Sequence, residues 1–176
     1  EGQAMFVANT FGGSCAPGGD ISASFRLDTP VIEVTQADSI LSISHLMQSE
    51  FAYDGGNLKV SINNGEFSVV PNEAFRHNAY NTTLDTGAGA SPDPAGVISG
   101  GNTSPIAGED AWSGSDEGKS SSDWGTSQID LTALGVQVGD SVQFRFEFGQ
   151  DGCNGNLGWY VDKVEITYCS TDAPSN

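Results

Sequence analysis

The sequence predicts an all-β protein, an antiparallel β-sandwich of the jelly-roll kind, on three observations. Apolar residues alternate with polar ones along most of the chain, and helical spacing is almost absent. The alternating segments are short and are separated by clusters of Gly, Asn, Asp, Ser and Pro. The chain has 176 residues, 23 of them Gly, enough for one domain with its own core and many turns. Eight or so closely spaced strands without helices belong in two packed sheets.

The elements follow in order. Ala4 to Phe11 reads as a first strand, followed by a turn-rich segment from Gly12 to Gly19. Ile21 to Leu27 alternates, Pro30 sits where an edge or strand start tolerates it, and Val31 to Val34 continues apolar. Ile40 to Met47 places Leu41, Ile43, His45 and Met47 on one face. Leu58 to Ile62 and Glu66 to Val70 form a hairpin around Asn63-Asn64-Gly65, where Asn-Gly supplies positive φ angles. Ser127 to Thr132, Ser141 to Phe148 and Trp159 to Tyr168 complete the set, with Val142, Phe144, Phe146 and Phe148 on a shared face. Between them, residues 85–125 form a long loop rich in Gly, Ser and Asp, of a length that is commonly functional. One domain is thus expected over residues 1–169, with 170–176 as a tail or linker.

Charge narrows the function. Six basic residues stand against 23 acidic ones, a net charge of −17. With no basic stripe, nucleic acid is excluded as a partner. No apolar run approaches the ~18 residues of a membrane helix, so no membrane insertion is expected. No signal peptide is visible, since Glu1 opens directly into a polar stretch; if the protein is secreted, this is a mature or trimmed form. The abundance of Asp, Asn, Ser, Thr and Gly beside only three lysines also favours an extracellular or cell-surface setting. A strongly acidic surface recruits divalent cations.

No catalytic constellation is visible. The two histidines, His45 and His77, belong to no HExxH motif, and no nucleophile elbow precedes a helix. The chain therefore reads as non-catalytic. The candidate residues are of three other kinds. Asp162 shares an alternating face with Tyr160, Val164 and Ile166, and an inward carboxylate needs a cation or several hydrogen bonds, so it is either a metal ligand or the partner of inward-facing His45. Glu50, Asp54 and Asp20 are its possible co-ligands, with Asp54 alternatively a plain turn former before Gly55-Gly56. Calcium suits such an oxygen-rich set. The polar loop Asp151-Gly152 to Asn154-Gly155-Asn156 has a shape common to turns and cation sites, whereas the acidic residues of the long loop read as solvated charge. Trp112, Trp124 and Tyr80 lie in or beside the long loop, either to stack on a sugar or to pin the loop onto the sandwich.

Three cysteines allow at most one internal disulfide. Cys153 and Cys169 flank the last strand, ~30 Å apart at ~3.3 Å per residue, beyond the roughly 7 Å a disulfide spans. Cys15 is the better partner for Cys153, leaving Cys169 free or bonded outside the chain.

From Leu27 onward the chain also resembles a known family. The resemblance rests on Leu27-Asp28-Thr29-Pro30-Val31-Ile32, Tyr53-Asp54-Gly55-Gly56-Asn57-Leu58-Lys59-Val60-Ser61, Pro71-Asn72-Glu73-Ala74-Phe75, Trp124-Gly125-Thr126-Ser127-Gln128-Ile129-Asp130-Leu131, Phe144 to Cys153 and Gly158-Trp159-Tyr160-Val161-Asp162-Lys163-Val164. In order and spacing these resemble the MAM-like jelly-roll domains appended to secreted bacterial metallopeptidases of the fungalysin and immune-inhibitor-A kinds. The resemblance implies a non-catalytic accessory module of a larger multidomain protein, with structural calcium and an extracellular protein or glycan as ligand. A carbohydrate-binding module of a polysaccharide-degrading enzyme, or a structural subunit of a surface assembly, are the alternative expectations.

Overall fold

The computed structural model describes residues 4–9, 21–87, 101–114, 124–152 and 154–168. In chain order the strands are β1 (Met5–Ala8), β2 (Ala23–Asp28), β3 (Ile32–Glu33), β4 (Ile40–Gln48), β5 (Gly55–Ile62), β6 (Ser68–Val69), β7 (Phe75–His77), β8 (Thr82–Thr83), β9 (Asp110–Ala111), β10 (Gly125–Asp130), β11 (Ser141–Gln150) and β12 (Gly158–Thr167). A single 3-10 turn, Asn72–Ala74, precedes β7. One sheet has the order β1-β12-β4-β10-β7, the other β2-β11-β5-β6 with β3 also on β11, and β8-β9 form a small ribbon. The ladders of both large sheets are antiparallel. Leading strands alternate between the sheets along the chain, which is the jelly-roll sandwich the alternation predicted.

The core lies between the two large sheets. Leu41, Ile43, His45 and Met47 of β4 are fully buried, and Phe144 and Phe148 of β11 oppose them from the second sheet. A second, smaller cluster of Leu84, Ile106 and Ala111 shows that part of the long loop is packed structure. That segment lies on the outer face of the second sheet: a Cβ on Gly149 would stand 2.5 Å from Ile106 and 2.6 Å from Ser104. Lys59 pairs there with both Glu109 and Glu147, and Arg26 pairs with Glu147 at 2.6 Å. Burial alone would raise the Glu147 carboxyl, but the two cations outweigh it and hold it below the usual range. Glu109 and Asp110 are thus not solvated charge as predicted; Asp110 is bonded to Thr83 at 2.6 Å.

Two local expectations change. At the hairpin the positive φ angles belong to Asn63 and Asn64, and Gly65 instead donates its N–H to Ile62 O at 2.9 Å. Gly55-Gly56 is not a turn but the start of β5. These glycines are needed for close approach: Gly56 exchanges both backbone hydrogen bonds with Trp112 at 2.9 and 3.0 Å, and a Cβ there would stand 2.5 Å from the Trp159 ring.

Candidate metal centre

At one end of the sandwich the chain brings together three carboxylates from distant segments. Glu50 follows β4, Asp54 precedes β5 and Asp151 follows β11. One ligand oxygen from each lies within 4.8 Å of the other two. The Glu50–Asp54 turn closes locally, with Tyr53 N and Asp54 N both donating to Glu50 O at 3.2 and 3.0 Å. Its cost is Ala52 at φ 65, a left-handed conformation unfavourable for a side chain. Neighbours hold that residue: Ala52 N donates to Ser113 Oγ at 2.9 Å, and Ala52 O accepts from Asp85 N at 2.8 Å. Asp54 O accepts from Ser49 Oγ at 2.8 Å and from Ser113 Oγ at 2.5 Å.

Asp54 is fully buried. Its Oδ1 accepts from Asp151 N at 2.6 Å and its Oδ2 from Asn9 Nδ2 at 2.8 Å. Asn9 Oδ1 in turn accepts from Asn156 N at 2.6 Å, tying β1 and the 151–157 loop to the cluster. Glu50 Oε1 is approached by Asn154 Nδ2 at 3.4 Å, while Glu50 Oε2 is buried without a hydrogen-bond partner. Among the described residues, the cations Arg26, Lys59, Arg76 and Arg145 form their ion pairs elsewhere. Burial first, then the charges of Asp151 and Glu50, push the Asp54 carboxyl up to about 6 against the opposing hydrogen bonds. Burial and the Asp151 charge likewise raise Glu50. Three hard oxygen donors held this close, on a set that includes the orphaned buried Oε2 of Glu50, fit a divalent cation of the calcium type. Such an ion would supply charge neutralisation and would tie strand ends of both sheets.

Of the four carboxylates predicted as ligands, Glu50 and Asp54 meet here. Asp20 lies outside the described residues. Asp162 stands elsewhere and faces outward, because β12 changes face at a bulge. Its ladder with β4 shifts between Asp162 and Glu165, and Lys163 takes φ 47. Trp159 and Val161 therefore point inward before the bulge, and Val164 and Ile166 after it. Asp162 Oδ1 accepts from Lys163 N at 2.7 Å, and Asp162 is not the partner of His45. Asp162→Asn is accordingly expected to leave any calcium-induced stabilisation intact, checked by melting with and without the ion.

His45 is buried as predicted, but its ring lies between Ser127 and Trp159. Trp159 Nε1 donates to Nδ1 at 3.2 Å and Ser127 Oγ donates to Asn78 O at 2.8 Å. These directions place the proton on Nε2, 2.8 Å from Ser127 Oγ, so the imidazole is a donor toward the hydroxyl. Burial pulls its pKa down to about 3.

The aromatic candidates divide. Trp112 is fully buried, with ring centroids of His45 at 4.5 Å, Tyr80 at 4.7 Å and Phe75 at 5.6 Å, and its Nε1 donates to Asn78 O at 3.2 Å. Tyr80 is buried too, its hydroxyl bonded to both the N–H and C=O of Leu58 at 3.0 Å. Neither can stack on a sugar from the surface; together they pin the long loop. Trp124 is 49% exposed and remains available. Cys15, Cys153 and Cys169 lie outside the described residues.

Asp151, the third carboxylate of the cluster, is not among the predicted ligands, although the polar loop it opens carries the signal. Compared with known proteins, the chain matches no family model and no curated sequence.

Proposed function

We propose that this is a non-catalytic extracellular recognition module of a larger secreted or surface protein, with its loop end organised by calcium at Glu50, Asp54 and Asp151. The observation that carries the reading is the three-carboxylate cluster with the orphaned Glu50 Oε2. Three carboxylates this close repel one another, a cost that a cation or protons would relieve. The MAM-like resemblance supports the same reading. The non-catalytic part draws support from His45: its proton sits on the side facing Ser127, opposite to what a general base needs, and both residues are fully buried.

The pH dependence of the ion-free protein tests the cluster. A carboxyl raised to about 6 in the folded state binds its proton more tightly than the unfolded chain does. Its contribution to stability is then greatest below the unfolded pKa and is lost as pH rises through 6. The size is on the order of 3 kcal/mol for a shift of about two units. His45 acts oppositely, since the unfolded chain binds its proton first and stability falls as pH drops below about 6.5. Comparison with Asp54→Asn removes that shared trend. In EDTA the wild type should gain stability relative to Asp54→Asn between pH 7 and pH 4.5. Parallel profiles of the two proteins would contradict the assignment.

A second reading, a carbohydrate-binding module, is favoured by the exposed Trp124 and is developed next.

A further inference from the structure

The outer face of the first sheet carries a row of aromatic side chains running across four strands. Phe6 on β1 pairs in register with Tyr160 on β12, and Tyr160 pairs with Leu46 on β4. Gly125 opposes His45, so Trp124, the residue just before β10, continues the same row beside Leu46. Phe6 and Tyr160 stack with centroids 4.2 Å apart and planes 21° apart. Tyr160 and Trp124 stand on strands two positions apart, a span of about 9.5 Å at the usual inter-strand spacing. Their rings are nevertheless only 6.3 Å apart, so they lean toward one another over Leu46. Leu46 is 9% exposed although it is not part of the inter-sheet core, as a residue covered from outside would be. Leaning rings turn part of their faces to solvent, and Phe6 and Trp124 both remain 49% exposed.

The next row on the same face is hydrophilic. Asp162 pairs in register with Ser44, and Ser44 with Thr126. A one-residue-wide aromatic strip beside carboxylate and hydroxyl groups matches a polyol chain, whose C–H faces pack on rings while its hydroxyls bond to the flanking row. It is too narrow for a protein partner, which would need roughly 800 Å² per side around an apolar centre. A net charge of −17 disfavours an anionic polymer. We infer that this face is a binding surface for a neutral polysaccharide, with Trp124 as the main stacking ring, Tyr160 and Phe6 extending it, and Asp162, Ser44 and Thr126 bonding to sugar hydroxyls. The inference deepens the recognition-module reading and does not depend on the metal.

The test is depletion of the full chain from solution by microcrystalline cellulose, chitin, insoluble xylan and insoluble β-1,3-glucan, each with calcium and with EDTA. Retention on at least one is expected. Trp124→Ala should weaken that retention by about tenfold or more, about 1.4 kcal/mol at least. Because Trp124 lies outside the inter-sheet core, its melting temperature should stay close to wild type. Thr126→Val, which removes only an exposed hydroxyl, should weaken retention severalfold, and Val138→Ala, at an exposed site between β10 and β11, at the other end of β10 from Trp124, should leave it unchanged. Wild-type protein retained on none of the four, or Trp124→Ala retained as well as wild type, would overturn the assignment. So would self-association in sedimentation that Trp124→Ala abolishes without any glycan retention, since the face would then belong to a second copy. Absent retention beside an intact calcium response would sink this inference alone and leave the metal reading standing.

Discussion

Calcium at 1 mM should raise the melting temperature of this protein by about 10 °C over the value in EDTA. A ligand that binds only the folded state stabilises it by RT ln(1 + [L]/Kd), about 4 kcal/mol for a micromolar site. In a domain of this length each kcal/mol is worth roughly 2–4 °C. The physical source is relief of the repulsion among Glu50, Asp54 and Asp151, which with burial raises the Asp54 and Glu50 carboxyls in the ion-free fold. The same geometry fixes the pH dependence of the effect. Calcium needs the ionised carboxylates, so the shift should be full above pH 6 and shrink as pH falls through it. Asp54→Asn and Glu50→Gln should each remove most of the shift. Magnesium should give a smaller one, because it demands near-octahedral geometry and sheds water reluctantly.

The second large effect is expected at Trp112. Replacing a fully buried aromatic side chain by alanine costs about 3–5 kcal/mol. Here the ring is surrounded by His45, Tyr80, Phe75 and Trp159, and its backbone bridges to Gly56. Ser113, the next residue, bonds to Asp54 O and receives the Ala52 N–H, so loosening Trp112 also loosens the turn that carries two of the three carboxylates. Trp112→Ala should therefore lower the urea midpoint sharply and weaken the calcium response together. An unchanged midpoint with only a lost ligand would instead make Trp112 a surface binding residue, against its burial. Total stabilities of about 5–15 kcal/mol leave little margin for this change.

The strands that carry the core were legible because strict alternation survives in them. In β4 the positions Leu41, Ile43, His45 and Met47, and in β11 Val142, Phe144, Phe146 and Phe148, are buried at every second residue, and a period of two admits one register. β12 was misread at Asp162 because the Lys163 bulge inserts one residue and exchanges the faces. The apolar spacing did hold a trace of it: Trp159 and Val161 are two apart, as are Val164 and Ile166, but three residues separate Val161 from Val164. β8 and β9 have two residues each, β9 inside the segment whose composition reads as loop and β8 just before it, so no periodicity could announce them. Trp112 and Tyr80 could be listed from the sequence but not oriented, since burial of a loop aromatic is decided by what folds beneath it.

The candidate site was legible in its parts and not in its assembly. Glu50 and Asp54 are four residues apart, and a turn joins them locally. Asp151 lies 97 residues further on, and only the order of strands across both sheets brings it to Asp54 Oδ1. Asn9 joins from β1, another strand end that the topology delivers and the local sequence does not. The ion-pair network on the outer face of the second sheet depends in the same way on register, through the Glu147–Asn57 and Glu147–Arg26 pairings.

Calorimetric titration of the EDTA-stripped, dialysed protein with calcium at pH 7.5 tests the central claim most directly, beside Asp54→Asn and Asp151→Asn in the same buffer. One ion bound per chain in the wild type, with a dissociation constant in the micromolar range, and none in either variant is the expected result. No heat and no retained calcium in the wild type, or equal binding by all three proteins, would contradict a metal centre at Glu50, Asp54 and Asp151.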